Sequence, residues 1–198
     1  MGSNINRSLP GYVSLDEIGR GAAYVLQAGR GEHLSVHGSV RTLITRDEDT
    51  RGSLALTMNS GPTSPATVPH YHRHTTEFIY GLEGVTRVWL DDTKGTRFKR
   101  DLDPGDFVLL PIGWIHAWAF TTPNTRYLAG IAPAGFEKIL NLLNPNEPTT
   151  IEKLEETEKH VDVVWTPGHP LFDASDEPFL PPMLKNLRDE SDARAVGS

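Results

Sequence analysis

The chain has 198 residues, enough for one sizeable hydrophobic core and too few for two of ordinary size. Its hydrophobic and charged fractions, 37% and 23%, are those of an ordinary globular protein, and a net charge of −7 excludes the basic footprint that nucleic acid or an acidic lipid surface requires. The absence of cysteine excludes disulfides, thiolate metal sites and cysteine nucleophiles. No apolar run approaches the ~18 residues of a membrane span. Residues 1–10 lack the apolar core of a secretory signal, so the expected compartment is the cytosol.

Residues 1–19 read as a polar N-terminal arm punctuated by Pro10 and Gly11, followed by a single domain over residues 20–165. Short strands are expected at 21–29 and 40–45, bounded by glycines or charged turns. His33 and His37, in the glycine-punctuated connection between them, read as surface histidines. Residues 46–52 form a charged turn, 53–60 a strand and 61–68 a loop.

The segment from Pro69 to Gly84 carries the chemistry. On a strand, His70, His72 and His74 would share one face. Glu77 sits at an odd position and joins them only if a bulge or bend intervenes. Imidazoles and one carboxylate on a short segment make a facial set for a divalent metal, with open positions opposite. Downstream, the buried-looking strand Phe107–Leu110 leads through Pro111-Ile112-Gly113 to a further candidate, His116. An alternating segment at 85–90 and a polar return strand at 97–102 flank a turn at Asp91–Gly95, and strands at 116–120 and 126–132 complete the series. Short strands separated by turns predict an all-β fold of two packed antiparallel sheets.

The tail changes character. Apolar residues at 136, 139, 140 and 143 predict a helix over 136–144 that stops at Pro145. Thr149 and Glu152 read as a capping box opening a second helix from Ile151 to about His160. Pro167, Pro170, Pro178, Pro181 and Pro182 predict an extended C-terminal arm over 166–198, free to pack Leu171, Phe172, Phe179 and Leu180 on the core or on a partner. His160 and His169 read as solvent-facing. Arms at both ends and uncovered sheet edges predict a homodimer.

The two histidine segments resemble the paired signatures of the cupin superfamily. His70-x-His72, four residues to Glu77 and six more to Gly84 match the first; Gly105, Pro111, Gly113 and His116 match the second. Ser64 stands where the first signature begins with glycine, and Phe120 where the second ends with asparagine. The resemblance implies a jelly-roll barrel with short C-terminal helices. It also implies His70, His72, Glu77 and His116 as ligands of one divalent first-row transition metal per chain (Fe, Ni, Co, Mn or Cu). A rival set of His72, His74 and Glu77 leaves only two residues between the second histidine and Glu77, fewer than the signature allows.

Over roughly residues 40–143 the chain is similar to the quercetin 2,3-dioxygenase branch of that superfamily. The similarity rests on His116-Ala-Trp118 and on Pro133-Ala-Gly135-Phe136-Glu137 entering a helix. It implies that Met58, Ser60, Ile79, Trp118, Tyr127, Ile131 and Phe136 line a substrate pocket, with simple core packing as the plain alternative for each. It further implies Glu77 as catalytic base and a small aromatic enol and O2 as partners, with ring opening and release of carbon monoxide. Two other readings stand beside it: a non-oxidative decarboxylase, isomerase or cyclase using the metal as a Lewis acid on an aromatic or polyketide intermediate, and a small-molecule-binding cupin.

Overall fold

The computed structural model describes residues 5–18, 21–36, 38–143 and 147–187. Its framework is two facing antiparallel sheets. The strands are β1 (Glu32–Val36), β2 (Ser39–Thr45), β3 (Ala55–Gly61), β4 (His70–Tyr71), β5 (Thr76–Glu83), β6 (Thr86–Asp91), β7 (Arg97–Leu102), β8 (Phe107–Leu110), β9 (Ile115–Phe120), β10 (Thr125–Ala132) and β11 (Val164–Trp165). One sheet runs β1-β2-β3-β10-β5-β8 and the other β11-β4-β9-β6-β7, a jelly-roll order. Alternation along each strand sets the interior: Glu77, Ile79 and Gly81 of β5 are buried while Tyr80 is exposed. Ile79, Val88, Leu90, Leu102, Leu110, Phe120 and Tyr127 close one part of the space between the sheets.

The N-terminal part differs from its sequence reading. Residues 21–29 form no strand, and Val25 there is 91% exposed. The edge strand is β1, built from the segment read as a connection; its glycines disfavour a helix but permit a strand between two turns. His33 is accordingly only 5% exposed, with Nδ1 2.8 Å from Thr42 Oγ1, and is no surface histidine. His37 lies outside the described residues. Residues 5–18 lie along β1 through bridges Ile5–Leu34 and Tyr12–Gly31, and buried Leu15, in the short α1 (Leu15–Ile18), joins Leu34, Leu43, Ile139 and Val163. The charged turn contains one helical turn, α2 (Asp47–Thr50).

The tail is more ordered than its prolines suggest. A 3-10 turn, Phe136–Lys138, leads into α3 (Ile139–Leu142); the expected stop at Pro145 lies outside the described residues. In α4 (Ile151–Glu158) the N-cap is Thr150, one residue past the capping-box reading, its Oγ1 accepting the Lys153 N–H at 3.4 Å. Residues 166–187 are not an extended arm. They form a 3-10 helix, Ala174–Phe179, and helical backbone over 182–187, and they cover the outer face of the second sheet. The reason lies in β9: His116, Trp118 and Phe120 face inward, so Ile115, Ala117 and Ala119 face out and need an apolar cover. Leu171, Phe172, Leu180 and Leu184 supply it, around Trp89.

Polar contacts pin this strap. Lys99 Nζ reaches Asp173 (2.8 Å), Ser175 (2.7 Å) and Asp176 (3.0 Å). Asp91 accepts from Arg97 Nε at 2.6 Å and lies 3.0 Å from His169 Nε2, so His169 is tied into the fold while His160 stays exposed beside Glu156. Among the described residues no helix is long and apolar enough to cross a membrane.

Phe172 is buried with its ring edge-on to Trp89, centroids 5.2 Å apart. Phe172→Ala is expected to lower the unfolding free energy by about 3 kcal/mol, the usual cost of deleting a buried aromatic ring. Urea denaturation checks this, and because the contact lies within one chain the loss should not change on dilution.

Candidate metal centre

His70 opens β4 directly opposite His116 on β9, their ring centroids 4.4 Å apart. The strand ends at Tyr71, so the face that His70, His72 and His74 would share on a longer strand does not form. Instead the chain bends, and the Asp162 carboxylate holds the bend by accepting the backbone N–H groups of Arg73 (3.0 Å) and His74 (2.8 Å). His72 is buried by this bend and His74 is exposed, outside the group. The bend also carries the chain into the other sheet, where Glu77 on β5 turns inward. Its Oε2 lies 3.6 Å from His72 Nε2 and 3.4 Å from His116 Nε2. One ligand atom from each of His70, His72, Glu77 and His116 falls within 4.8 Å of the others, all four residues being buried.

Backbone carbonyls orient the imidazoles. His70 Nδ1 donates to Val68 O at 2.8 Å, His116 Nδ1 to Trp114 O at 2.9 Å, and His72 Nδ1 to Asp162 O. A proton held on Nδ1 leaves the Nε2 lone pair for coordination. Among the described residues the buried Nε2 atoms of His72 and His116 have no hydrogen-bond partner. Buried acceptors left this way are costly unless something else engages them, and a divalent cation suits three imidazoles and a carboxylate. The residues present therefore fit a metal. Burial, and then the neighbouring imidazoles, push His70 well below its ordinary value. Burial also lowers His72, but Glu77 outweighs it and leaves His72 raised. Burial pushes the Glu77 carboxyl up; His72 and His116 overcome that and hold it well below the usual carboxylate range.

The turns that deliver these residues are coupled. Gly113, at φ 78°, supplies the left-handed position of the turn before β9 and donates its N–H to His72 O at 2.9 Å. Gly84, at φ 63°, ends the first motif where a Cβ would come 2.6 Å from Thr125 Oγ1. Ser64 and Phe120, the two positions that depart from the family signatures, meet: Ser64 N–H donates to Phe120 O (3.0 Å) and Phe120 N–H to Ser64 Oγ (3.2 Å).

The group opens into a cavity of about 960 Å³. Ile79, Trp118, Tyr127, Ile131 and Phe136 line it, and the Phe136 ring meets His72 with centroids 4.4 Å apart. Met58 and Ser60 do not. On β3 the buried residues are Ala55, Thr57 and Asn59, of which the last two line the cavity, and a shift of one residue moves a strand's side chains to the opposite face. Thr57 and Asn59 turn inward while Leu56 and Met58 turn away, which puts polar points on the cavity wall. Sequence reasoning also missed Asp162 and Trp165, whose ring lies 4.9 Å from that of His70; both come from the far side of α4, with no local signal.

A cupin-domain model matches residues 56–128, the stretch that contains His70, His72, Glu77 and His116. The two histidine signatures thus fall within a stretch that matches the cupin domain. The chain is similar to quercetin 2,3-dioxygenase of Bacillus subtilis (strain 168), at 29% identity over 132 residues, 66% of this chain. The chain spans 38% of the length of that relative. Among solved structures it is similar to the oxalate decarboxylase of Lactobacillus farciminis in its formate complex (TM-score 0.48, 18% identity, 67% of this chain and 39% of that one). It is also similar to KdgF from Halomonas sp. (TM-score 0.43, 20% identity, 51% and 84%).

The purified protein is expected to hold about one divalent ion per chain, measured by elemental analysis. His116→Ala should weaken binding by more than the ~10–100-fold that loss of a ligand's supporting partner costs, Asp162→Ala, which removes the carboxylate clamp of the bend but keeps the carbonyl that accepts from His72, should weaken it less than His116→Ala does, and His74→Ala should leave loading nearly unchanged. Because the His72 pKa is raised, its proton competes with the metal up to a higher pH than an ordinary imidazole proton would. Loading should therefore decline on acidification from above the ordinary histidine range, and loading that stays constant through that range would contradict the assignment.

Proposed function

We propose that this protein is a metal-dependent cupin dioxygenase that opens a flavonol-like aromatic enol with O2. The observation that carries the reading is the opening of the His-and-carboxylate group into a cavity walled by Trp118, Tyr127, Ile131 and Phe136. The similarity to quercetin 2,3-dioxygenase supports it.

The Nε2 atoms of His70, His72 and His116 and the Glu77 carboxylate would hold the metal. When bound, a divalent first-row metal supplies a Lewis-acidic, redox-capable centre for an enolate and O2. Glu77, held below the usual carboxylate range, is ionised at neutral pH and accepts the substrate's hydroxyl proton. The flat ring system lies against Trp118 and Phe136, which exclude water from the reacting end. The turn bearing Phe136 is fixed by buried Glu137, whose Oε1 accepts Asp47 N–H (3.0 Å) and whose Oε2 accepts Gly135 N–H (2.6 Å).

We place the protein in the cytoplasm as a homodimer. Since residues 166–187 cover their own sheet, the surface offered to a second copy is the β8 edge, where Phe107 (57%), Leu109 (50%) and Ile112 (50%) are exposed. Light scattering should give twice the chain mass for the parent, and Phe107→Glu with Leu109→Glu should give the monomer.

Metal-loaded protein incubated with quercetin should consume O2 as the flavonol absorption band disappears. Glu77→Gln should retain much of the metal while turnover falls by ~10²–10⁴-fold, the usual contribution of a general base. Loss of substrate without O2 uptake would replace this reading with a decarboxylase, isomerase or cyclase, and equal turnover in Glu77→Gln and parent would remove Glu77 from the chemistry.

A further inference from the structure

Away from the metal ligands, the same cavity carries a row of polar side chains that the proposed reaction does not use. Arg41 on β2, Asn59 on β3 and Tyr127 on β10 are successive register partners across neighbouring strands, and all three line the cavity. Ile131, the register partner of Glu77, lies four positions further along β10, which corresponds to about 13 Å of strand. The row therefore stands well apart from the metal group, at a spacing that suits two linked aromatic rings.

Each member of the row has unspent capacity. The Arg41 guanidinium stands 5.2 Å from the centroid of the Trp118 ring, and among the described residues no carboxylate pairs with it. Trp118 in turn meets Tyr127 edge-on, centroids 5.2 Å apart. Asn59 is 2% exposed; its Nδ2 donates to Thr57 Oγ1 at 2.9 Å, which leaves Oδ1 buried with no donor. Burial pushes the Tyr127 phenol up, against the pull of Arg41, so its hydroxyl keeps its proton. A half-buried guanidinium stacked on an indole favours an oxyanion, with which it makes charge-assisted hydrogen bonds. An orphaned amide oxygen in a closed wall favours a hydroxyl donor.

We propose that Arg41, Asn59 and Tyr127 form a second recognition point in the cavity and take an aryl carboxylate that carries an adjacent hydroxyl. The carboxylate faces Arg41, the hydroxyl donates to Asn59 Oδ1, and the aromatic body extends past Trp118 toward the metal ligands. This rests on the reading of the cavity as a substrate site and narrows it: the substrate class is an elongated hydroxylated aromatic acid, for which neutral flavonols are surrogates.

The test is a binding measurement independent of turnover. Full-length protein, metal-loaded and again after chelation, is titrated with 1-hydroxy-2-naphthoate, 2-naphthoate and 1-naphthol, following quenching of tryptophan fluorescence. The hydroxynaphthoate should bind the parent at least roughly tenfold tighter than 1-naphthol, as one charge-assisted contact allows, in both metal states. Arg41→Met should abolish that preference with 1-naphthol affinity unchanged, and Arg41→Lys, which keeps the charge, should retain part of it. Asn59→Leu should erase the advantage of hydroxynaphthoate over 2-naphthoate. Thermal melting of each variant checks that it is folded. Equal binding of acid and naphthol, a preference that survives Arg41→Met, or one that vanishes on chelation would overturn the proposal. Absence of O2 uptake with quercetin would sink the dioxygenase reading and leave this result standing.

Discussion

The hydrogen bonds from the three Nδ1 atoms of His70, His72 and His116 to the carbonyls of Val68, Asp162 and Trp114 are the interaction on which the site depends. Each holds a proton on the outer nitrogen, so the inner nitrogen of the neutral ring presents its lone pair. Two carbonyls lie two residues before the histidine they orient, within the local turn. The third belongs to Asp162, far along the chain, and the same residue's carboxylate clamps the bend that separates His72 from His74. Asp162 thus decides which histidines converge.

That dependence explains why the chain after β10 belongs to the site. β11 pairs with β4, placing Trp165 in register with His70, and Phe136 packs against His72 from the preceding turn. Residues 166–187 then cover the outer face of β9 and β6. β9 and β6 are consequently covered on both faces, with the metal group and cavity on one side and the strap on the other. Close packing on the outside limits how far β9 can shift, and with it His116 and Trp118.

The cavity itself reverses the usual strand pattern. On β3 the polar side chains of Thr57 and Asn59 turn inward, and Arg41 is brought in beside them by the neighbouring strand. A core filled by packing alone would take the apolar face of β3. Polar groups on an otherwise apolar wall are the expected form of a small-molecule site, because a few directed contacts fix the orientation of a mostly apolar ligand.

The sequence by itself determined the local features. His70-x-His72, Glu77, the Pro-x-Gly turn and His116 were legible because their spacing is local and the turn is set by nearby residues, and the alternation of Ile115–Phe120 is a property of strands. Ile79, Trp118, Tyr127, Ile131 and Phe136 were placed toward the pocket by family resemblance, while Met58 and Ser60 were displaced by one residue, since nothing local states which face of β3 meets the other sheet. Only the tertiary structure decided that His33 is buried in an edge strand, that the proline-rich tail straps its own sheet, that Asp162 orients His72 and that Arg41 lines the cavity. The physical reason is common to all of these: each depends on pairing or packing between segments distant along the chain, and a local pattern records a residue's own backbone preference but not its partner.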